Sequence, residues 1–375
     1  MHLRFILHLF NKKNNMNKIH NFSAGPAILP QSAIDAGIEA LKNFSGMGLS
    51  LIEVSHRSKE FEAVVDEATK LVKEILKLND DYAVIFLQGG ASMQFDMIPF
   101  NFLDEGETAA YTNTGVWASR AVKEAKFFGN VNVVATSEDK NFSYIPKGFS
   151  IPSDSKYFHC TSNNTIYGTE MFSFPETSVP KICDMSSDIF SRNIDATQFD
   201  LIYAGAQKNM GPAGTTLVII KKSFLETKRA KRKIPTMLDY KPHIDNGSMY
   251  NTPSVFAIFI CMHTLRWIKE IGLDEMENRN KAKAELLYNE IDRNTMFTGT
   301  VAKEDRSRMN VNFVLNNKEF EDEFLKLCKQ KNLSGLKGHR SVGGLRASLY
   351  NALPIESVQV LVDVMKEFEI NKLNG

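Results

Sequence analysis

Between Asp81 and Ile220 the chain alternates short apolar runs with amphipathic stretches, and this alternation restricts the fold more than any other feature. The runs "YAVIFL", "TAAYT", "VNVVAT", "YFHCT", "KICDMS" and "DLIYAG" have the length of strands, and continuous apolar strands are typical of sheets covered on both faces. The stretches "GGASMQFDMIPFNFL" and "GVWASRAVKEAKFFG" are typical of helices, the second closed by Gly129. The pattern predicts an α/β fold with a parallel or mixed sheet and helices on both sides.

The pattern changes after about Gly272. A long charged helix is followed by the strands "NVNFVL" and "LRASLY", the helix "EFEDEFLKLCKQK" and a final helix from about Ile355. A length of 375 residues suits two domains. We therefore expect a large domain over 31–271, a smaller α+β domain over 272–375, and a segment at 16–30 that packs with the smaller domain. Residues 1–15 are expected to form an N-terminal extension outside the fold.

Charge and cysteine content exclude several classes of protein. A formal net charge of +1 offers no electrostatic basis for binding nucleic acid or an anionic membrane. The four cysteines lie far apart and form no C-x-x-C pair, which argues against a disulfide framework and a zinc site. The apolar stretch Leu3 to Phe10 is too short to span a bilayer. We expect a cytoplasmic protein without a metal, a nucleic-acid partner or a membrane partner.

Small polar residues follow the apolar runs. In an open α/β sheet, ligands bind beyond the carboxyl ends of the strands. Turns of any protein are rich in polar residues, so only the chemical mixture in these turns favours a binding site. The turns are "QGGAS" (88–92), "NTGVW" (113–117), "TSNNT" (161–165), "DMSSD" (184–188) and "GAQKN" (205–209).

Three of these turns offer separate parts of a cofactor site. A helix that begins at this turn would leave the backbone N–H groups of Gly90, Ala91 and Ser92 free to attract an anion, although many such turns carry no ligand. The turn is neither G-x-G-x-x-G nor a Walker A loop, which counts against NAD and ATP. Asp184 is either a helix N-cap or the partner of a protonated ring nitrogen. Trp117 either fills the core or stacks on a flat ring.

Lys208 stands in "YAGAQKNMGPAGTTLVII", at the end of an apolar run and before a turn rich in glycine and proline. A lysine amine held away from water has a lowered pKa and acts as a nucleophile or base, typically by forming a Schiff base with an aldehyde. A phosphate-binding turn, a carboxylate, an aromatic face and this lysine together predict a pyridoxal-phosphate site.

The chain resembles the phosphoserine aminotransferase family, which comprises fold-type I pyridoxal-phosphate enzymes of class V. The resemblance runs from about Lys18 to the end of the chain. It implies a mainly parallel seven-stranded sheet in the large domain and a homodimer with active sites at the subunit interface. The motifs that carry it are "NFSAGPAILP", "EVSHRS", "LQGGASMQF", "NTGVWASRA", "TSNNTIYGTE", "DMSSDIFSR", "YAGAQKNMGPAGTTLVII", "PTMLDY", "YNTPSVFAI" and "KGHRSVGGLRASLYNA".

The resemblance also implies roles for individual residues. Lys208 would form the Schiff base, Asp184 would pair with the ring nitrogen, and Trp117 would stack on the ring. Thr165 would contact the ring near its phenolic oxygen. The cofactor phosphate would be held by Ala91, Ser92 and Gln207, and from the partner subunit by Asn251 and Thr252.

The implied substrates are small anions, since the family transfers an amino group between glutamate and 3-phosphohydroxypyruvate. The products would be 2-oxoglutarate and O-phospho-L-serine, an intermediate of serine biosynthesis. Some relatives also act on a 4-phosphohydroxythreonine-type substrate of pyridoxine synthesis. Guanidinium groups bind carboxylate and phosphate through two points, which suits such substrates. The implied substrate-binding residues are His56, Arg57, His339, Arg340 and Arg346.

This chain departs from many relatives at Asn164 and Tyr167, where they carry acidic residues, and it belongs to the subset with serine at position 92. Three other functions compete with this one. One is a different class V aminotransferase, such as an alanine–glyoxylate enzyme. The second, a cysteine desulfurase, is disfavoured because it needs a reactive loop cysteine, whereas Cys328 falls in an amphipathic helix and is expected in the core. The third is a protein that binds the cofactor without catalysis.

Overall fold

The computed structural model describes residues 19–374, so the extension expected at 1–15 lies outside the described residues. The strands are β1 (His20–Asn21), β2 (Tyr82–Leu87), β3 (Thr108–Asn113), β4 (Asn130–Thr136), β5 (Phe158–Thr161), β6 (Asn163–Asn164), β7 (Thr169–Glu170), β8 (Lys181–Asp184), β9 (Leu201–Gly205), β10 (Thr216–Lys221), β11 (Phe297–Gly299), β12 (Asn310–Leu315), β13 (Leu333–Ser334) and β14 (Leu345–Ser348). The α-helices are α1 (Gln31–Lys42), α2 (Lys59–Ile75), α3 (Gly90–Phe102), α4 (Val116–Ala125), α5 (Lys222–Lys228), α6 (Tyr240–Asp245), α7 (Val255–Ile271), α8 (Leu273–Arg293), α9 (Glu321–Gln330) and α10 (Ile355–Leu373).

The central sheet has seven strands in the order β2-β10-β9-β8-β5-β3-β4. Strand β10 runs antiparallel to both of its neighbours, and all other adjacent pairs are parallel. The expected α/β fold with a mainly parallel seven-stranded sheet is therefore confirmed. Because β2 and β9 both oppose β10, the carboxyl ends of β2, β3, β5, β8 and β9 meet at one edge of the sheet.

Both faces of this sheet are covered, as apolar strands require. Along β2, Val84 and Phe86 pack in one core with α1, α2 and α7, whereas Ala83, Ile85 and Leu87 pack in a second core with α3 and α4. Side chains alternate between the faces of a strand, so an uninterrupted apolar run supplies both cores at once.

The edge strand β4 differs from the expectation of burial on both faces. Its residues are half-buried or exposed, and Val133 retains 38% of its accessible surface. The reason is its position: β4 pairs only with β3 and lies at the margin of the helical layers. The preceding helix α4 also ends at Ala125, four residues before the glycine expected to close it.

The C-terminal part forms a separate hydrophobic core. Strands β11, β12 and β14 make an antiparallel sheet, and side chains from α8, α9 and α10 pack on it. Strand β1 pairs with β13, and Phe22 packs in this C-terminal core. We propose that the domain boundary lies at Gly272, the residue between α7 and α8, where φ is +80°. Among residues 19–374, no helix is both long and apolar enough to cross a membrane.

Candidate active site

The turn that carries Lys208 is held from two sides. After β9 ends at Gly205, the backbone folds back so that the N–H groups of Lys208 and Met210 both donate to the carbonyl of Ala206 (2.8 and 3.2 Å). From the other side, Ala27 N–H donates to the carbonyl of Gln207 at 3.0 Å. The N-terminal segment therefore lies against the lysine, and a Cβ placed on Gly25 would come within 3.3 Å of the Cγ of Lys208.

Burial changes the acid–base properties of both charged groups at this edge of the sheet. Burial lowers the pKa of the Lys208 ammonium, and the nearby Asp184 carboxylate partly opposes that change. Burial raises the pKa of Asp184, against the effect of Lys208 and a hydrogen bond from the Ser186 N–H at 2.9 Å. A lysine with a lowered pKa is more often neutral, so its amine is available as a nucleophile or base.

Thr165 connects Lys208 with an arginine from the smaller sheet. Its hydroxyl accepts a hydrogen bond from Lys208 Nζ at 3.1 Å, and its backbone carbonyl accepts one from Arg346 Nη1 at 3.4 Å. Arg346 is half-buried on β14, its Nε has no hydrogen-bond partner among the described residues, and burial lowers its pKa. A guanidinium in this state is suited to bind a carboxylate beside the lysine.

Arg346 and two more cationic side chains lie around His339. Burial lowers the pKa of His339, and the charges of Arg346, Arg340 and Arg120 lower it further, which places all three guanidinium groups near this imidazole. The Cζ of Arg120 lies 4.9 Å from the centre of the Trp117 ring. Arg120 was not among the residues expected from the sequence. Its position three residues after Trp117 on one face of α4 is the signal that could have identified it.

The first turn of α3 fits a phosphate group. Gly89 and Gly90 adopt φ values of +92° and +68°, and a Cβ on Gly89 would lie 2.6 Å from the Cβ of Met93. The glycines thus let the backbone turn into α3 with the N–H groups of Ala91 and Ser92 in its first turn. The side chain of Gln207 curls over Gly205, where its Oε1 would lie 2.7 Å from an added Cβ.

These residues fit pyridoxal phosphate. A half-buried tryptophan at the start of α4 can cover the ring, Asp184 can pair with the ring nitrogen, and Lys208 can reach the aldehyde. The indole N–H of Trp117 has no hydrogen-bond partner among residues 19–374, so packing and the neighbouring Arg120 guanidinium, rather than a hydrogen bond, place the ring.

Comparisons with known proteins agree with this geometry. Residues 19–361 match the family described as Aminotransferase class-V. The phosphoserine aminotransferase of Flavobacterium psychrophilum is 58% identical over 95% of this chain and 100% of its own, and that of Bacteroides fragilis is 57% identical over 94% and 99%. The chain belongs to the class-V aminotransferases. A solved structure of phosphoserine aminotransferase from Bacillus circulans subsp. alkalophilus has a TM-score of 0.92 and 46% identity, covering 95% of this chain and 99% of that one.

Membership of this family makes the chain a pyridoxal-phosphate-dependent aminotransferase with the fold-type I architecture. An alanine–glyoxylate aminotransferase from Nostoc is only 16% identical with a TM-score of 0.73, so its likeness concerns the fold alone. The cysteine-desulfurase alternative lacks support, because Cys328 is buried in α9 and burial raises the pKa of its thiol to about 12.

Four of the expected site residues lie apart from Lys208 and Arg346. His56 and Arg57 precede α2, and their side chains contact each other at 3.4 Å. Asn251 Nδ2 contacts Gln88 Oε1 at 3.3 Å, and Thr252 is exposed. Among the hydrogen bonds of residues 19–374, none joins these four to Lys208 or Arg346. Their roles in substrate and phosphate binding remain predictions.

The two departures from the family pattern have structural roles here. Asn164 is buried, accepts a hydrogen bond from Thr114 and donates one to Thr169. Tyr167 packs on Phe142 with ring centres 4.8 Å apart. Both side chains also lie close to Gly115 at the start of α4, where an added Cβ would come within 2.9 Å of Asn164 Oδ1 and 3.3 Å of Tyr167 Cδ2.

Proposed function

We propose that this aminotransferase exchanges an amino group between glutamate and 3-phosphohydroxypyruvate, forming 2-oxoglutarate and O-phospho-L-serine for serine biosynthesis. One observation carries the proposal: half-buried Arg346, without a carboxylate partner among the described residues, shares Thr165 with Lys208. The curated relatives at 53–58% identity that are named phosphoserine aminotransferase support the same substrates.

The chain's own residues would divide the work as follows. Bound pyridoxal phosphate supplies a carbonyl that takes up the amino group and a ring that accepts negative charge. Lys208 Nζ would move a proton to and from the substrate α-carbon, and Thr165 would orient that amine. Arg346 would bind the α-carboxylate and so keep the α-carbon within reach of the amine. Asp184 would hold the ring nitrogen in its protonated form, and Trp117 would keep water from the ring.

The phosphate group of the substrate would bind where the other cationic side chains gather. The charges of Arg346, Arg340 and Arg120 all act on His339, so these side chains belong to one cationic region. A substrate with a carboxylate and a phosphate can engage two separate cationic groups at once. A keto acid with a single anionic group, such as hydroxypyruvate, would engage only the first, so this arrangement favours the phosphorylated acid over its unphosphorylated counterpart.

We further propose that the enzyme acts in the cytoplasm as a homodimer whose partner subunit supplies His56, Arg57, Asn251 and Thr252. Helix α1 exposes Ile34, Ile38 and Leu41, which recur at the spacing of one helix face, and Ile52 beyond it retains 67% of its accessible surface. Helix α1 contacts residues 51–53, which precede His56 and Arg57, and it contacts α7, which begins three residues after Thr252. A second copy would bury this apolar surface and bring the four polar residues to the other active site.

The proposal is tested by a coupled assay of 2-oxoglutarate release from glutamate. Three amino acceptors are compared: 3-phosphohydroxypyruvate, hydroxypyruvate without the phosphate, and glyoxylate. We expect kcat/KM to be at least about 10²-fold higher for the phosphorylated acceptor, because only its phosphate can form charge-assisted hydrogen bonds with these cationic side chains. Equal values for the phosphorylated and unphosphorylated acids would refute the phosphate site, and preference for glyoxylate would favour the alanine–glyoxylate alternative.

Two further measurements separate the remaining alternatives. A visible spectrum that shifts when glutamate is added shows the first half-reaction, and an unchanged spectrum would indicate cofactor binding without catalysis. The longer keto acid related to 4-phosphohydroxythreonine is assayed in parallel, because the same cationic side chains would bind its phosphate.

A further inference from the structure

The two groups proposed to act on the substrate belong to different parts of the fold. Lys208 lies in a turn of the large sheet, whereas Arg346 lies on β14 of the small sheet. Lys208 and Arg346 contact the same residue, Thr165, so the distance between them must be held closely. A shift of about 1 Å in such an arrangement is enough to impair catalysis severely. The question is which side chains fix one sheet against the other.

A buried cluster of asparagines joins these two elements. Asn209 directly follows Lys208, and its Oδ1 accepts a hydrogen bond of 3.0 Å from the N–H of Asn351, five residues after Arg346. The Nδ2 of Asn209 donates to the carbonyl of Ser187 at 3.2 Å, next to the turn of Asp184. One side chain thus ties the lysine turn to the end of β14 and to the aspartate turn.

The side chain of Asn351 completes the connection. Its Nδ2 donates to the carbonyl of Phe190 at 3.0 Å, and its Oδ1 accepts from Asn280 Nδ2 at 2.9 Å. Asn280 lies on α8 and donates its second N–H to the carbonyl of Ser191 at 2.9 Å. Asn209, Asn280 and Asn351 retain at most 5% of their accessible surface. Apart from Asn280 Oδ1, which has no partner among residues 19–374, the amide atoms of these three side chains are all hydrogen-bonded, so a shift would break several hydrogen bonds together.

Lys283 reinforces the same turn from α8. It lies one helical turn from Asn280, and its Nζ donates to the carbonyls of Leu349 and Tyr350, both at 2.8 Å. Lys283 on α8 therefore holds the backbone of the segment between Arg346 and Asn351, and Asn209 holds the last residue of that segment. Neither Asn209, Asn280, Asn351 nor Lys283 contacts Lys208 Nζ or the guanidinium of Arg346 through a hydrogen bond in the described part of the chain.

We propose that Asn209, Asn280 and Asn351 are positioning residues that set the separation of Lys208 from Arg346 and thereby the affinity of the site for substrate carboxylates. The inference rests on the proposed function, because it assigns the substrate carboxylate to Arg346. The three side chains act through the backbone of the lysine turn and of β14, so they influence binding without touching the ligand.

The test compares Asn351→Ala with a matched control, Asn294→Ala, in the cofactor-loaded enzyme. Asn294 is equally buried, lies in the same domain and bonds to Glu290 and the carbonyl of Met365, away from the asparagine cluster. Two quantities are measured: the Kd of glutarate, an unreactive dicarboxylate, by calorimetry, and the pH midpoint of the visible absorbance of the Lys208-bound cofactor. A thermal unfolding curve for each variant gives the general loss of stability.

We expect Asn351→Ala to raise the glutarate Kd at least about tenfold and to shift the absorbance midpoint, while Asn294→Ala lowers the unfolding temperature but leaves both quantities unchanged. Asn209→Ala removes the acceptor of the Asn351 N–H, a hydrogen bond that Asn351→Ala leaves in place, and it should repeat the effect if Asn351→Ala folds poorly. If Asn351 affects glutarate binding only by positioning Arg346, then Asn351→Ala should not change the Kd further in a protein that already carries Arg346→Ala.

The proposal is overturned if Asn351→Ala and Asn209→Ala leave both quantities at the wild-type values, or if Asn294→Ala changes them equally. An effect on Kd that persists in the Arg346→Ala background would also overturn it. Failure of the proposed function is a different result, since it would be seen in the wild-type enzyme as no exchange between glutamate and the phosphorylated keto acid.

Discussion

At the scale of single residues, the site depends on the contrast between a buried lysine, a buried aspartate and a half-buried arginine. Burial lowers the pKa of Lys208 and raises that of Asp184, and each charge partly offsets the change in the other. Lys208 and Arg346 each donate a hydrogen bond to Thr165. Two substitutions test these roles separately.

Lys208→Ala removes the amine that we propose bonds to the cofactor and moves the proton. We expect turnover to fall by at least about 10³-fold and the visible absorbance of the Lys208-bound cofactor to vanish. The control is Lys241→Ala, which alters an exposed ion pair with Asp245 on α6. If Lys208→Ala retained both the absorbance and turnover, the assignment of this lysine would be wrong.

Arg346→Lys keeps the positive charge but loses the planar pair of N–H donors. We expect KM for glutamate to rise about tenfold or more, with a smaller change in kcat, because a single ammonium cannot hold a carboxylate at two points. Steady-state kinetics with Arg279→Lys on the exposed side of α8 as control would measure the difference. Similar KM values for the two variants would remove Arg346 from substrate binding.

At the scale of secondary-structure elements, helix starts and strand ends place the chemistry. The first turn of α3 offers its N–H groups because two glycines take left-handed backbone conformations before it. Helix α8 contributes in a different way, since it carries Asn280 and Lys283 against the segment after β14. The first turn of α3 leads to a prediction for cofactor affinity, and Lys283 on α8 leads to a prediction for the pH dependence of stability.

Gly89→Ala should weaken cofactor binding. At φ +92° a Cβ is strained and would lie 2.6 Å from Met93 Cβ, so the start of α3 must move. We expect the Kd for pyridoxal phosphate to rise about tenfold, measured by fluorescence titration of the cofactor-free protein. Gly106→Ala is the control: φ is +83° there, but no atom lies within 4 Å of an added Cβ. Equal losses of affinity in the two variants would indicate a general destabilisation.

Lys283 makes stability depend on pH. Burial lowers its pKa from 10.5 to about 7 in the folded protein, with Arg279 contributing. Between pH 7 and about 10 the unfolded chain binds a proton at this residue that the folded chain does not, so the free energy of unfolding rises with pH by up to about 1.4 kcal/mol per unit. Below pH 7 both states are protonated and the full cost of burial applies.

Lys283→Met lacks this titration. The difference in unfolding free energy, wild type minus variant, should therefore increase from pH 7 towards pH 10, as measured by denaturant unfolding at saturating cofactor. The bond between cofactor and Lys208 titrates in both proteins and cancels in the difference. A difference that stays constant over this range would contradict the prediction.

At the scale of the whole molecule, the active site is assembled from the large sheet, the small sheet and the N-terminal segment. Residues from β8 and β9, from β14 and from Gly25 to Ala27 all meet around Lys208. In addition, the proposed homodimer would add Arg57 and Asn251 from the partner subunit. This last contribution can be tested without a structure of the dimer.

A mixture of two inactive variants should regain activity if subunits share sites. Lys208→Ala and Arg57→Ala are each expected to be inactive, yet a heterodimer of the two would contain one site with both intact residues. Random re-association would restore about a quarter of wild-type sites. Activity is assayed after the two proteins are unfolded and refolded together, with each refolded alone as the control. No gain on mixing would mean that Arg57 does not act across the interface.

Much of this arrangement could be predicted from the sequence because it depends on local pattern. The apolar runs led to the strands of a doubly covered sheet, and the rule that ligands bind at strand ends brought Lys208, Asp184, Trp117 and the Gly89–Gly90 turn to one edge. The exposure of β4 was not predicted, because strands at the centre and at the margin of a sheet can have the same apolar residue types.

The sequence by itself determined the α/β class, the residue types of the cofactor site and the family to which they belong, since these depend on periodicity and on short contiguous motifs. Only the tertiary structure decided that Arg346 reaches Thr165, that Arg120 joins the cationic group, and that Asn209 bonds to Asn351. Each of these contacts joins residues distant in the chain, and their distances depend on how two sheets pack, which no local pattern encodes.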